Sequence, residues 1–242
     1  MTKLSVLSYK IAAIGLLGAA LAGSVSPAYA ATAQPAKPNV TASAAQSAAV
    51  TVKPHNLNYN SSLVSVKAQI PTIKGLKDTR YQDELNDIIE RHAGKDIELL
   101  KQTARADYAK AKKGGYPFHK YELYISYSVK MNAYGILSFT VDSYRSYDGG
   151  SRVDTYTIHN RVEASRATPD EFLGKDYEAV VNAAIKKQIA AKPNAAAYSF
   201  EGISTEQSFY AQGNHVVIVF DEYAIAPGSE GKQEFKIAIP RK

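Results

Sequence analysis

The sequence predicts an α+β fold: antiparallel sheets with two principal helices packed on them, in the order helix then three strands, twice. Three observations carry this expectation. Residues 121–131 alternate apolar and polar side chains without a break, the period of a half-buried strand. Residues 78–110 and 175–191 repeat apolar residues at three- and four-residue spacings, the period of a helix. Val216-Val217-Ile218-Val219-Phe220 is apolar on both faces, as a strand in the middle of a covered sheet must be.

In chain order, Val64, Val66, Ala68 and Ile70 share one face of a strand that Pro71 ends. The first helix presents Tyr81, Leu85, Ile88, His92 and Leu99, with Asp78 placed to cap its start. Gly94 weakens its middle, so a kink or break is expected there. In the next strand Tyr121, Leu123, Ile125, Tyr127, Val129 and Met131 point inward, and Glu122, Tyr124, Ser126, Ser128 and Lys130 point outward. A turn at Asn132-Ala133-Tyr134-Gly135 leads to a strand over 136–147. Asp148-Gly149-Gly150 reverses the chain into another over 152–162, because glycine accepts positive φ. The second helix presents Tyr177, Val180, Val181, Ala184, Ile185 and Gln188. Thr168 or Asp170 caps the turn ahead of it, and Pro193 closes it. Strands over 205–211, 215–223 and 234–239 complete the chain, the last preceded by a turn at Pro227-Gly228-Ser229-Glu230-Gly231.

The chain begins with Lys3 and Lys10, a short apolar run from Ile11 to Gly23, and Ala28-Tyr29-Ala30, the layout of a secretory signal peptide. The run is shorter than the ~20 residues that span a bilayer, so no stable membrane span is expected after cleavage. Residues 31–52 are rich in Ala, Ser, Thr and Pro and cannot bury enough apolar surface to offset their ordering entropy, which predicts a flexible tether. The expected organisation is signal peptide 1–30, tether 31–52, and two folded subdomains, 53–165 and 166–242. Export to the periplasm or the medium follows, with association with the cell wall. There is no cysteine, which excludes a lipoprotein anchor, disulfides and thiolate metal sites. Two of the 29 basic residues lie in the signal and none of the 23 acidic ones, so the mature chain carries a net charge of +4. That is mild, without the dense basic stripe of a nucleic-acid binder.

No catalytic signature is present: no G-x-S-x-G, no H-E-x-x-H, no Walker A loop and no G-x-G-x-x-G. The five histidines, His55, His92, His119, His159 and His215, stand singly. Asp221 and Glu222 are adjacent and so point apart, while Asp142 and Asp154 are candidates to meet across neighbouring strands. No cofactor and no metal are expected. The unusual enrichment is Tyr, with 17 residues and no Trp. Tyr121, Tyr127 and Tyr210 are assigned to packing, and Tyr124, Tyr144 and Tyr147 to the surface.

Residues 170–240 resemble the extracellular domain of unknown function of RsiV-type anti-sigma factors. The resemblance rests on "DEFLGKDYEAVVNAAIKKQIA", "QSFYAQGNHVVIVFDEYAIAPGSEG" and "FKIAIP". Residues 66–157 resemble the companion domain found in the same proteins and ahead of the catalytic domain of PdaC-type peptidoglycan deacetylases. Here the matching stretches are "AQIPTIKGLKD" and "YSVKMNAYGILSFTVDSYRSYDGG". Where family members often continue the double glycine with Ala-His, this chain has Ser151-Arg152. Only ten residues precede the apolar run and the chain ends at Lys242, so neither a sigma-binding segment nor a deacetylase domain is expected.

The expectation is a secreted, non-catalytic envelope module that binds or senses an envelope protein, peptidoglycan or an anionic wall polymer. The RsiV-type resemblance implies lysozyme as one partner, and a wall-polymer hydrolase using Asp142, Asp154, Asp221 or Glu222 is a third alternative. The expected binding residues are Tyr144, Arg145, Tyr147, Gly149, Gly150 and Arg152, since two rings and two guanidinium groups around a glycine turn match the composition of interface hot spots.

Overall fold

The computed structural model describes residues 49–240. The expected signal peptide and residues 31–48 of the expected tether lie outside them. Thr51 and Val52, the last two residues of that tether, belong to the first strand. The elements are β1 (Thr51–Asn60), β2 (Val64–Lys74), α1 (Thr79–Gly114), β3 (Tyr121–Ala133), β4 (Ile136–Arg145), β5 (Ser151–His159), β6 (Ser165–Arg166), α2 (Pro169–Leu173), α3 (Tyr177–Ala190), β7 (Phe209–Gln212), β8 (His215–Phe220) and β9 (Gln233–Ala238). The fold is α+β as expected: α1 is followed by four strands, the last of two residues, α3 is followed by three, and β1 is added ahead of the expected β2.

β1 to β6 form one six-stranded sheet in sequence order, and β7 to β9 form a three-stranded sheet. All pairings are antiparallel except β2 with β3, which run parallel. The one parallel pairing in the otherwise antiparallel large sheet comes from the 36-residue α1, the crossover that lets the chain re-enter beside β2 in the same direction.

Side-chain alternation gives the large sheet two unlike faces. Val66, Ala68, Ile70, Leu123, Ile125, Phe139 and Val141 pack under Leu85, Ile89, Ala93, Ile97, Leu100 and Ala104 of α1. On the opposite face, Val153 meets Tyr210, Val217 and Val219 of the small sheet. The other side of the small sheet packs Val216, Ile218, Phe235 and Ile237 against Val181, Ile185 and Ile189 of α3. The order of layers is α1, large sheet, small sheet, α3. Between the sheets the contact is largely polar. Ser138, Thr140, Thr155 and Thr157 are buried there, and the Ser138 hydroxyl accepts the Ala211 N–H at 2.9 Å and bonds Thr157 at 2.8 Å.

Four local expectations change. β2 runs on through Pro71 to Lys74, past the end expected for it. α1 runs unbroken through Gly94, whose α-carbon faces open space. Its buried stripe is Leu85, Ile89, Ala93, Ile97 and Leu100, while Leu99 is exposed, because the packed face lies one residue round from the predicted one. In β3 the inward alternation ends at Val129, which is exposed: a register shift against β4 falls between Val129 and Met131. Other expectations hold. Asp78 caps α1 through the Tyr81 N–H at 3.0 Å, Thr168 caps α2, and β8 is buried on both faces.

Candidate functional site

The period-two geometry of β4 and β5 disperses the six expected binding residues. Tyr144 pairs with Tyr124 on β3 and Ser151 on β5, on the face turned away from α1. Arg152 pairs with Ser143 and Arg145 with Leu123, on the α1 face. One turn therefore sends its side chains to opposite sides of the sheet.

On the α1 side, Arg152 is a structural clamp. Its guanidinium donates to both oxygens of Asp96 on α1, each at 2.9 Å, and to Asp154 at 3.0–3.2 Å. The Asp96 side chain is only 8% exposed and that of Arg152 34%. Burial opposes the guanidinium charge, but the hydrogen bonds and charge of Asp96 and Asp154 outweigh it and hold its pKa above the usual value. His92, one turn before Asp96, lies 3.9 Å from Asp154. These side chains, with Ser143 and Tyr156, line a cavity of about 10 Å³, room for a single water.

The glycine turn is closed by its own side chains. Arg145 bonds Asp148 at 3.3 Å and lies 5.8 Å from the centre of the Tyr147 ring. Tyr147 is half-buried, its ring 5.2 Å from that of Tyr121. Gly149 adopts φ 67°, and a side chain on Gly150 would strike the Arg145 guanidinium. Of the six residues, only Tyr144 stands with a second exposed ring.

That ring is Tyr124. Its centroid lies 6.4 Å from that of Tyr144, and the Lys67 ammonium from β2 lies 5.5 Å from it. Tyr124 is 36% exposed and Tyr144 44%. Along the same face, β1, β2 and β3 present Asn56, Asn58, Gln69, Ser126 and Ser128, all exposed. Among the described residues none of these five side chains has a hydrogen-bond partner. The small sheet stops short of this area: Lys232 ahead of β9 pairs with Asp142, and Glu222 accepts from Ser151 at 2.9 Å, so these contacts mark where the second layer begins. The alternation of β3 had marked Tyr124, Ser126 and Ser128 as outward. What the sequence missed was β1, whose Asn56 and Asn58 join the same face through pairing with β2.

The expected carboxylate pairings do not form. Asp142 pairs with Val153 and Asp154 with Val141, so the two acids point to opposite faces of the sheet. Asp221 accepts the Val153 N–H at 2.9 Å. Three of the histidines do meet acids from other elements: His55 with Glu90, His92 with Asp154, and His159 with Glu171. Among the described residues no group of three or more His, Cys, Asp and Glu is placed to hold a metal ion.

Two family models match this chain. Residues 57–152 match the family described as Deacetylase PdaC, and residues 169–239 match Protein of unknown function (DUF3298). No curated protein matches it. Among solved structures, a member of the DUF3298 family from Bacteroides fragilis NCTC 9343 superposes with a TM-score of 0.59. Its identity is 13%, and the match covers 79% of this chain and 91% of that one. A DUF3298 family protein from Pseudomonas aeruginosa PAO1 matches with a TM-score of 0.43 at 18% identity, over 78% and 87% of the two chains. The first of these shows a shared fold. Tyr124 and Tyr144 both fall within the PdaC-matching stretch, and Glu222 and Lys232, at the edge of the open face, within the DUF3298-matching stretch.

Proposed function

We propose that this chain is an exported, non-catalytic binding or sensing module of the bacterial cell envelope. The observation that carries the proposal is the uncovered end of the large sheet, where two tyrosine rings and unpartnered polar side chains face solvent on a rigid, four-layered scaffold. Two cavities among the described residues, about 10 Å³ beside Arg152 and about 160 Å³ beside Ile189 and Phe200, are smaller than the ~300–1,000 Å³ of small-molecule pockets. Export rests on the signal-like first 30 residues; no helix among the described residues is long and apolar enough to cross a membrane.

The PdaC and DUF3298 matches support a wall-associated setting. The RsiV-type resemblance adds lysozyme as a protein partner. Steering toward a strongly basic partner needs acidic groups, and several border the open face: Glu122 and Glu222 are hydrogen-bonded only by the Tyr124 and Ser151 hydroxyls and keep their charge, while the single Lys232 is shared by Asp142 and Glu234. The test is retention of the purified chain on isolated cell-wall material, with capture of envelope proteins run in parallel against an unrelated secreted protein. Retention or specific capture is expected. Neither, at tens of micromolar, removes the proposal.

A further inference from the structure

We infer that the flank of α1 toward its C-terminal end is a docking surface for an anionic phospholipid bilayer. It lies on the α1 side of the large sheet, away from the open face, so the inference goes beyond the binding-module reading and is tested apart from it.

The charge of the chain is concentrated there. Residues 101–120 hold six of the 29 basic residues and one of the 23 acidic ones, so they carry five of the six net positive charges. The rest of the chain has 23 basic residues against 22 acidic ones and is close to neutral. The single acid of the segment, Asp107, is held by Lys110 at 2.7 Å and by the Tyr121 hydroxyl at 3.0 Å.

Helix periodicity gathers the other charges on one side. Lys101, Arg105, Tyr108 and Lys112 follow at spacings of four, three and four residues, so they form one stripe over roughly 17 Å of α1. Neighbouring segments widen it: the Lys101 ammonium lies 5.0 Å from the centre of the Tyr59 ring on β1, and Lys120 ahead of β3 donates to Asn60 at 3.0 Å. Among the described residues Lys101, Arg105, Lys112 and Lys120 have no acidic partner. Glu98, bonded by Gln102 at 3.1 Å, keeps its charge and borders the stripe at its start. Lys112 stands in the last turn, where the negative end of the helix favours a cation. Lys101 and Arg105 stand well before that turn, beyond the reach of this effect.

The rings decide between anionic partners. Tyr59 and Tyr108 stand among these cations, each 44% exposed, and Tyr108 meets Phe118 edge-on at 5.7 Å. A soluble phosphate polymer would meet the charges and leave the rings in water. A bilayer interface meets both, because headgroup phosphates attract the cations while aromatic rings with polar tips settle at headgroup level. Long Lys and Arg stems reach those phosphates from a helix lying along the surface. No helix among the described residues is long and apolar enough to cross a membrane, so the contact is peripheral.

The test uses the chain from residue 31 on, the form left by the expected cleavage, which keeps every element of the fold. Its probes are vesicles of phosphatidylglycerol with phosphatidylcholine, vesicles of phosphatidylcholine alone, and soluble poly(glycerol phosphate). Co-sedimentation should show binding to the anionic vesicles alone, weakened by salt. Arg105→Gln with Lys112→Gln should lower that binding about thirtyfold, the effect of two surface cations, with an unchanged melting temperature. Lys186→Gln with Lys187→Gln, exposed on α3 in the opposite outer layer, removes the same charge and should change nothing. The chain has no Trp, so Tyr108→Trp supplies a local probe whose emission should shift to the blue on anionic vesicles. No binding to anionic vesicles overturns the inference and leaves the module reading standing. Equal loss in the two double variants overturns the site, since net charge alone would then be at work. Equal affinity for poly(glycerol phosphate), with no shift of Tyr108→Trp emission on vesicles, overturns the bilayer in favour of a wall polymer.

Discussion

Replacing Arg152 should cost more stability than any surface position can. The residue was expected at a binding surface, yet its guanidinium makes two 2.9 Å hydrogen bonds to Asp96 and lies within 3.0 Å of Asp154. Removing it leaves Asp96, 8% exposed, as a charge without a partner beneath α1. Breaking a buried pair costs about 3–5 kcal/mol. The Arg152 side chain is 34% exposed, so water entering the vacated space offsets part of that, and the expected loss is about 2–3 kcal/mol. For a domain of this size that is roughly 5–10 °C in melting temperature. The assay is urea and thermal unfolding of Arg152→Met, Asp96→Leu and the double variant. If the cost is the stranded carboxylate, the double variant recovers most of the stability lost by Arg152→Met, giving a large favourable coupling. A loss under about 0.5 kcal/mol for Arg152→Met, or a double variant no better than the sum of its parts, would refute the clamp and return Arg152 to the surface.

Gly94→Ala should stabilise the chain by up to about 1 kcal/mol, since Gly94 is exposed in the interior of α1 and an added methyl group meets nothing within 4 Å; chemical denaturation reads it directly. Tyr134 and Gly135 form the two-residue β3–β4 turn with φ 54° and 73°, and Tyr134 is 93% exposed. Tyr134→Asn supplies the residue such turns prefer and should add about 0.5–1 kcal/mol; a lower melting temperature would mean that the ring has a structural contact. Asp78 accepts the Tyr81 and Ala164 N–H groups, which hold its carboxyl pKa below the usual range. Its stabilising effect is therefore full above the unfolded value of ~3.9 and lost as pH falls through the lower folded value. Asp78→Asn should flatten the fall of melting temperature below about pH 4, and an unchanged slope would assign the acid sensitivity to other carboxylates.

The local half of this structure was legible in the sequence because it depends on neighbours within a few residues. The alternation of 121–131 placed Tyr124, Ser126 and Ser128 outward, the three- and four-residue spacing located α1 and α3, and the double-sided apolar run identified β8 as central. The same logic failed where pairing joins distant segments. β1 has little apolar alternation of its own, because an edge strand exposed along most of its length needs none, so only its pairing with β2 reveals it. The parallel β2–β3 register depends on how the α1 crossover folds back, which no window of sequence contains. Arg152 and Asp96 are 56 positions apart, and their contact exists only because α1 lies on the Arg152 side of β5. Residue type alone made Tyr144, Tyr147 and Arg152 equivalent candidates for binding. Tertiary structure separated them, since a sheet has two faces: Arg152 lies on the α1 face, Tyr147 packs against the core beside Tyr121, and Tyr144 stands exposed on the other face.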